Sequence, residues 1–170
     1  MQSLTIVCMP VPPDTLCQLL NQHAGALELY ARQWCGQPAD VVQEVFLKLS
    51  QQPTVPHRPA AWLFKVTRNF ALASRRQDDR RRHREAATAG GDWFENDLDC
   101  PLDARTATDA MKALPDTERE CIVAHLWGGL SFEEIATLMG VSSSTAHRQF
   151  SGGIEKLQKK LGIKWTKTGV

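Results

Sequence analysis

Residues 131–161 read SFEEIATLMGVSSSTAHRQFSGGIEKLQKKL, and this stretch decides the fold of the C-terminal half. Ser131 and Glu134 stand at the S-x-x-E spacing of a capping box, immediately ahead of the apolar Ile135, Ala136, Leu138 and Met139. Gly140 then suits a left-handed turn, because glycine adopts positive φ without a steric cost. After Val141-Ser142, the residues Ala146, Phe150, Ile154, Leu157 and Leu161 recur at helical steps and predict a second helix ending near Leu161. A capped helix, a tight glycine turn and a second helix make a helix-turn-helix, whose second helix enters the DNA major groove by its N-terminal end. Here that end presents Ser143, Ser144, Thr145, His147 and Arg148. Arg148 suits a bidentate contact to guanine. The three hydroxyl residues suit phosphates or bases, assisted by unpaired amides at the helix start. The same unit elsewhere serves only packing or protein contact, so the motif alone does not decide the function. Gly152-Gly153 falls inside the second helix at a cost of about 1 kcal/mol per glycine relative to alanine. A bend, or close approach to a neighbouring helix or to DNA, must compensate.

Upstream of this unit, a helix is expected from about Thr106 to Ala113, stopping at Leu114-Pro115. Thr117 and Glu120 repeat the capping-box spacing before Cys121, Ile122, Ala124, His125 and Leu126. Residues 86–105 are small, Gly-containing and acidic, with five acids against one Arg and no periodicity, and read as a linker. Residues 65–85 have the opposite balance, eight Lys or Arg against three acids, so the formal net charge of +1 hides a strong asymmetry.

The N-terminal half is also helical in pattern. Asp14 stands as an N-cap before Leu16, Leu19, Leu20, Ala24, Leu27, Ala31 and Trp34, which recur at three- and four-residue steps and predict one buried face. Gly36-Gln37-Pro38 breaks the pattern. A second helix over residues 40–49 follows, with Val41, Val42, Val45, Phe46 and Leu49 apolar and Asp40, Gln43, Glu44 and Lys48 on the other side. Pro53, Pro56 and Pro59 mark a loop, because proline lacks the amide donor and restricts the residue before it. A third helix starts near Ala60. Its apolar Trp62, Leu63, Val66, Phe70 and Leu72 give way to the Arg-rich run 75–84, so it passes from packed to solvated, and Trp62 is expected in the core.

No strand pattern appears, and the chain is expected to be all-α: two small helical domains, residues 14–85 and 106–163, joined by the acidic flexible linker 86–105. The hydrophobic share of 42% suffices for two small cores. Met1 to Pro13 carries no basic start and is interrupted by prolines, unlike a secretory signal, and no apolar run is long enough to cross a bilayer, so a cytoplasmic protein without membrane insertion is expected. Cys8, Cys17, Cys35, Cys100 and Cys121 are scattered without metal-ligand spacing and read as reduced thiols. Cys17, Cys35 and Cys121 fall among apolar positions where cysteine acts as a small buried hydrophobe. No metal and no cofactor is expected. An enzyme acting on nucleic acid would need clustered carboxylates or an activated nucleophile. The single tyrosine, Tyr30, lies on a packed face, and His23, His57, His83, His125 and His147 are scattered, with core or solvent roles as the default.

Several motifs taken in order resemble the extracytoplasmic-function sigma factors, sigma-70-like subunits of bacterial RNA polymerase. Residues 40–49, DVVQEVFLKL, are similar to that family's polymerase-binding helix, and residues 59–69, PAAWLFKVTRN, to the next helix. Leu114-Pro115, the segment 129–136 (GLSFEEIA), Gly140-Val141-Ser142 and Thr145 match its C-terminal domain. The resemblance implies an alternative sigma factor with core RNA polymerase and promoter DNA as partners. It implies polymerase docking through Asp40, Gln43, Glu44 and Leu47. It implies contact with the single-stranded −10 element through Arg68 and Asn69, with Arg75, Arg76 and Arg80 on backbone phosphates and the 51–58 loop walling a base pocket. Recognition of the double-stranded −35 element falls to residues 143–148. The resemblance further implies an acidic linker that threads a polymerase channel and an anti-sigma protein as a further partner. Two positions depart from the family: an aspartate is replaced near Ala73, and a basic residue of the last helix is Gly152. Without the resemblance, a polymerase-independent helix-turn-helix regulator, with the N-terminal half sensing a ligand or dimerising, is the competing reading.

Overall fold

The computed structural model describes residues 11–84 and 102–162, and the chain divides into two compact units between Glu85 and Ala86. The described residues form helices and connecting turns without a strand. Most of the expected linker, together with Cys8, Cys100 and residues 163–170, lies outside the described residues.

In the first unit, α1 (Pro13–Ala31), α2 (Pro38–Ser50) and α3 (Pro59–Arg84) pack each against the other two. Asp14 is not the N-cap of α1. Pro12 holds that position and Pro13 opens the helix, where a missing amide costs nothing, so Asp14 lies in the first turn and interacts with the helix dipole instead. The buried face of α1 is Leu19, Leu27, Tyr30 and Ala31, whereas Leu20 is 42% exposed and Cys17 is exposed, both contrary to expectation. At about 100° per residue Cys17 lies off the arc that Leu19, Leu27, Tyr30 and Ala31 bury, whereas Leu20 lies within that arc and is left uncovered. All five expected apolar residues of α2 are buried. In α3 the buried set is Leu63, Phe64, Thr67 and Ala71, while Trp62, Val66, Phe70 and Leu72 are only half-buried. The periodic reading centred the face one residue off, because it counted the large side chains and passed over Thr67 and Ala71. Tyr30 anchors the core, edge-on to Phe64 at 4.8 Å and to Trp34 at 4.9 Å between ring centroids. Each such pair is worth about 0.5–1.5 kcal/mol beyond its buried area.

In the second unit, α4 (Leu102–Lys112), α5 (Asp116–Ile122) and α6 (Phe132–Met139) all pack on α7 (Ser143–Leu161). Helix α4 begins at Leu102, so residues 102–105 are helical and not linker. The expected capping box at Thr117 and Glu120 does not form. Pro115 occupies the N-cap position of α5, which places Thr117 inside the first turn, exposed, and buries Glu120. The corner is closed from the side chain of Arg119, which is 6% exposed and donates to the carbonyls of Leu114 at 3.1 Å and Lys112 at 3.3 Å, and to the Asp116 carboxylate. A single guanidinium thereby satisfies carbonyls left open at the end of α4.

After Ile122 the helix widens into a π segment, Val123–Trp127, whose Gly128 N–H reaches back to the Val123 carbonyl at 3.1 Å. Gly129, at φ 66°, then turns the chain into α6. The second capping box is present in both arms: the Glu134 N–H donates to Ser131 Oγ at 3.3 Å and the Ser131 N–H donates to Glu134 Oε2 at 2.9 Å. Gly140 closes α6 in the left-handed conformation, φ 72° and ψ 35°. The compensation for the glycine pair in α7 is close approach to α5. A Cβ at Gly153 would lie 2.7 Å from Ile122 Cδ1 and 3.2 Å from Glu118 Cβ, so only glycine lets the two helices meet at this separation. Gly152 meets nothing nearer than Glu118 Oε1 at 3.7 Å.

Candidate binding surfaces

Packing of the apolar stripe of α2 turns its opposite face outward. Asp40, Gln43, Glu44 and Leu47, spaced i, i+3, i+4 and i+7, are all exposed and form one continuous strip. Leu47 is 56% exposed, an apolar side chain among polar ones on a helix that buries five others.

On α3 the expected nucleic-acid residues follow a second strip. Arg68 is half-buried beside the packed face, and Asn69, Arg75, Arg76 and Arg80 are exposed. Their spacing, with Arg68 above Arg75 and Asn69 above Arg76, keeps them on one flank of the helix over about 18 Å, at about 1.5 Å per residue. Fixed cations at such intervals suit a phosphate backbone. The 51–58 loop connects α2 to α3 and is held at its start by the Gln52 amide, which donates to the Lys48 carbonyl at 3.2 Å.

The third surface is the N-terminal turn of α7. Ser142 is its N-cap, accepting from the Thr145 N–H at 3.2 Å, and its hydroxyl also shares hydrogen bonds with the hydroxyls of Thr145 at 2.8 Å and Ser144 at 3.0 Å. The hydroxyls of Ser144 and Thr145 are therefore hydrogen-bonded to the capping Ser142 hydroxyl as well as being placed at the helix start. Ser144, His147 and Arg148 are exposed, and Ser143 and Thr145 are half-buried.

Sequence patterns did not reveal the π segment or its consequence. Leu126 and Trp127 stand outward, 49% and 51% exposed, on a segment whose neighbours Val123 and Ala124 are fully buried. Nor did they reveal that His125 stacks on Phe132, with centroids 4.5 Å apart, although the capping box at Ser131 had already located Phe132 at the start of α6. Burial depresses the His23 imidazole below its ordinary value of 6.5. The Cys121 thiol is pushed up to about 12 by burial and then by the nearby carboxylates of Glu120 and Glu118. Among the described residues no group of three or more His, Cys, Asp or Glu is arranged to hold a metal ion, and no helix is long and apolar enough to cross a membrane.

Fold and surfaces together define a two-unit helical protein, with a helix-turn-helix in one unit and a helical bundle bearing a cationic strip in the other. Comparison with known proteins narrows this class. The sigma-70 region 2 profile matches residues 19–81 and the sigma-70 region 4 profile matches residues 105–157. The ECF RNA polymerase sigma factor SigL of Mycobacterium tuberculosis is 31% identical over 158 residues, covering 85% of this chain and 89% of the relative. The RNA polymerase sigma factor CarQ of Myxococcus xanthus is 31% identical over 160 residues, covering 88% and 90%. Among solved structures, the sigma factor RpoE of Bartonella quintana, bound to the anti-sigma factor NepR, superposes with a TM-score of 0.71 at 22% identity, over 91% of this chain and all of that one. CnrH, bound to the cytosolic domain of CnrY, does so with a TM-score of 0.56 at 23% identity, over 89% and 90%. The chain belongs to the sigma-70 family, in its extracytoplasmic-function group. It is an alternative sigma factor, which directs RNA polymerase to promoters and initiates transcription there. Members of the family are in general DNA-binding regulators without an enzymatic activity of their own.

Proposed function

We propose that the two units divide promoter recognition between them, the first docking on core polymerase and opening the −10 element, the second reading the −35 duplex. The observation that carries the docking assignment is the α2 strip. Asp40, Gln43 and Glu44 offer acceptors and donors beside an exposed Leu47, a polar strip that ends in one apolar contact. On α3, Asn69 and half-buried Arg68 face the extruded bases, and Arg75, Arg76 and Arg80 neutralise the phosphates of the displaced strand. On α7, Arg148 and His147 reach base edges while the capped Ser142–Thr145 turn presents hydroxyls and amides to phosphate.

The protein acts in the cytoplasm by binding alone, without catalytic step, metal or cofactor of its own. An anti-sigma protein holds it inactive until a signal arrives. Support for that control comes from the two structural neighbours, each solved with an anti-sigma factor or a partner's cytosolic domain.

The deciding experiment is co-purification with core RNA polymerase of the intact chain and of the triple variant Asp40→Ala, Gln43→Ala, Glu44→Ala. All three side chains are exposed, so the fold is expected to survive. Affinity for the polymerase should fall by at least about tenfold. Undiminished binding would remove the docking role from this face. Duplex binding with no polymerase association in either form would favour a polymerase-independent regulator.

A further inference from the structure

We infer that Phe132 is a positioning residue for promoter recognition: it holds the His147 imidazole in a fixed orientation at the groove-facing end of α7 and so sets a base preference. The inference rests on the groove reading proposed for α7. His147 is exposed, in the first turns of the recognition helix, where an unsupported side chain would sample several rotamers and lose that freedom on binding. It is not unsupported. Its ring meets Phe132 edge to face, centroids 5.0 Å apart and planes at 70°.

Phe132 is in turn immobilised from two sides. The His125 ring stacks on it at 4.5 Å with planes only 19° apart, and Phe150, from α7 itself, packs edge-on at 5.5 Å. Phe150 also meets His125 edge-on at 4.8 Å, which closes the cluster. His125 is oriented by a hydrogen bond between its Nδ1 and the Leu130 carbonyl, 2.7 Å apart. A carbonyl only accepts, so Nδ1 carries a proton and donates. Leu130 is fully buried. An unbroken chain therefore runs from the core through His125 and Phe132 to the His147 imidazole on the surface of α7 proposed to face DNA. His125 lies within the π segment, Val123–Trp127, and reaches the start of α6 from there. The chemistry recognised is a base edge in the major groove, read by an imidazole that donates or accepts one hydrogen bond.

The test uses holoenzyme assembled from core polymerase and the full chain, selecting from duplex promoters randomised over the −35 region. The variants are Phe132→Leu, Phe132→Tyr, His147→Ala and Arg148→Ala. Wild-type protein should enrich a motif with a preference of about tenfold at the base pair facing His147. His147→Ala and Phe132→Leu should both flatten that position alone. Phe132→Tyr, which keeps the ring, should restore it, and the Phe132→Leu, His147→Ala double variant should be no worse than either single change. If Phe132→Leu loses stability but keeps the wild-type motif, the ring serves packing only and the inference is overturned. If Arg148→Ala flattens the motif while His147→Ala does not, α7 still reads the groove but His147 is no reader, and the inference falls by itself. If wild-type holoenzyme enriches no motif in this region, the groove reading has failed and the inference fails with it.

Discussion

Replacing each glycine of the α7 pair by alanine should have different effects, although the two positions are adjacent in one helix. Both substitutions gain about 1 kcal/mol from the lower backbone entropy and better helix propensity of alanine. At Gly152 nothing opposes the gain, because the new Cβ meets only Glu118 Oε1, at an ordinary 3.7 Å. At Gly153 the Cβ would sit 2.7 Å from Ile122 Cδ1 and 3.2 Å from Glu118 Cβ. The first contact belongs to a fully buried side chain, and the second to an atom fixed by its own backbone. Overpacking of this kind costs about 1–3 kcal/mol. Gly152→Ala should therefore stabilise the second unit by about 1 kcal/mol, and Gly153→Ala should leave it unchanged or destabilise it by up to about 2 kcal/mol. The difference between the variants isolates the steric cost. Native-state hydrogen exchange of peptides from α5 and α7 measures it without interference from the other unit. A difference of about 2 kcal/mol appears as a roughly thirtyfold difference in protection. Equal stabilisation by both alanines would refute the close-approach explanation for the glycine.

Ser131→Ala removes the Oγ that accepts from Glu134 and should destabilise the second unit by about 1 kcal/mol, seen as reduced exchange protection at the start of α6, whereas Thr117→Ala, at a position without a capping role, should change little. The depressed His23 imidazole contributes stability that is present above its ordinary 6.5 and is lost as pH falls below it, because the unfolded chain then takes up the proton more readily. The melting temperature of the wild type should accordingly fall more than that of His23→Gln between about pH 7.5 and about pH 5, and parallel curves would exclude the effect. At about pH 8, iodoacetamide should modify exposed Cys17 but leave Cys121, whose thiol stays protonated and buried, until the chain is unfolded, as peptide mass spectrometry would show.

The sequence by itself determined the local elements and, through ordered motifs, the family. Helix existence follows from periodic apolar residues, and the Ser131–Glu134 box and Gly140 were legible because capping and positive φ depend only on residues a few positions apart. The polar side of α2 was equally legible, since burial of Val41, Val42, Val45, Phe46 and Leu49 leaves Asp40, Gln43 and Glu44 no other side, whereas Leu47 entered the strip only through the family resemblance. The same local logic misplaced the α1 cap at Asp14 and invented a box at Thr117. In both places a proline holds the N-cap position, so the helix starts before the residue expected to cap it. Only the tertiary structure decided what depends on contacts distant in sequence. It showed that Gly153 is needed because Ile122 and Glu118 lie against it, that Arg119 closes the α4–α5 corner, and that Leu20 and Cys17 are left exposed. It also placed His125, Phe132 and His147 in one cluster. Their separations in the chain encode no contact until the π segment and the turn at Gly140 fold three elements onto one another.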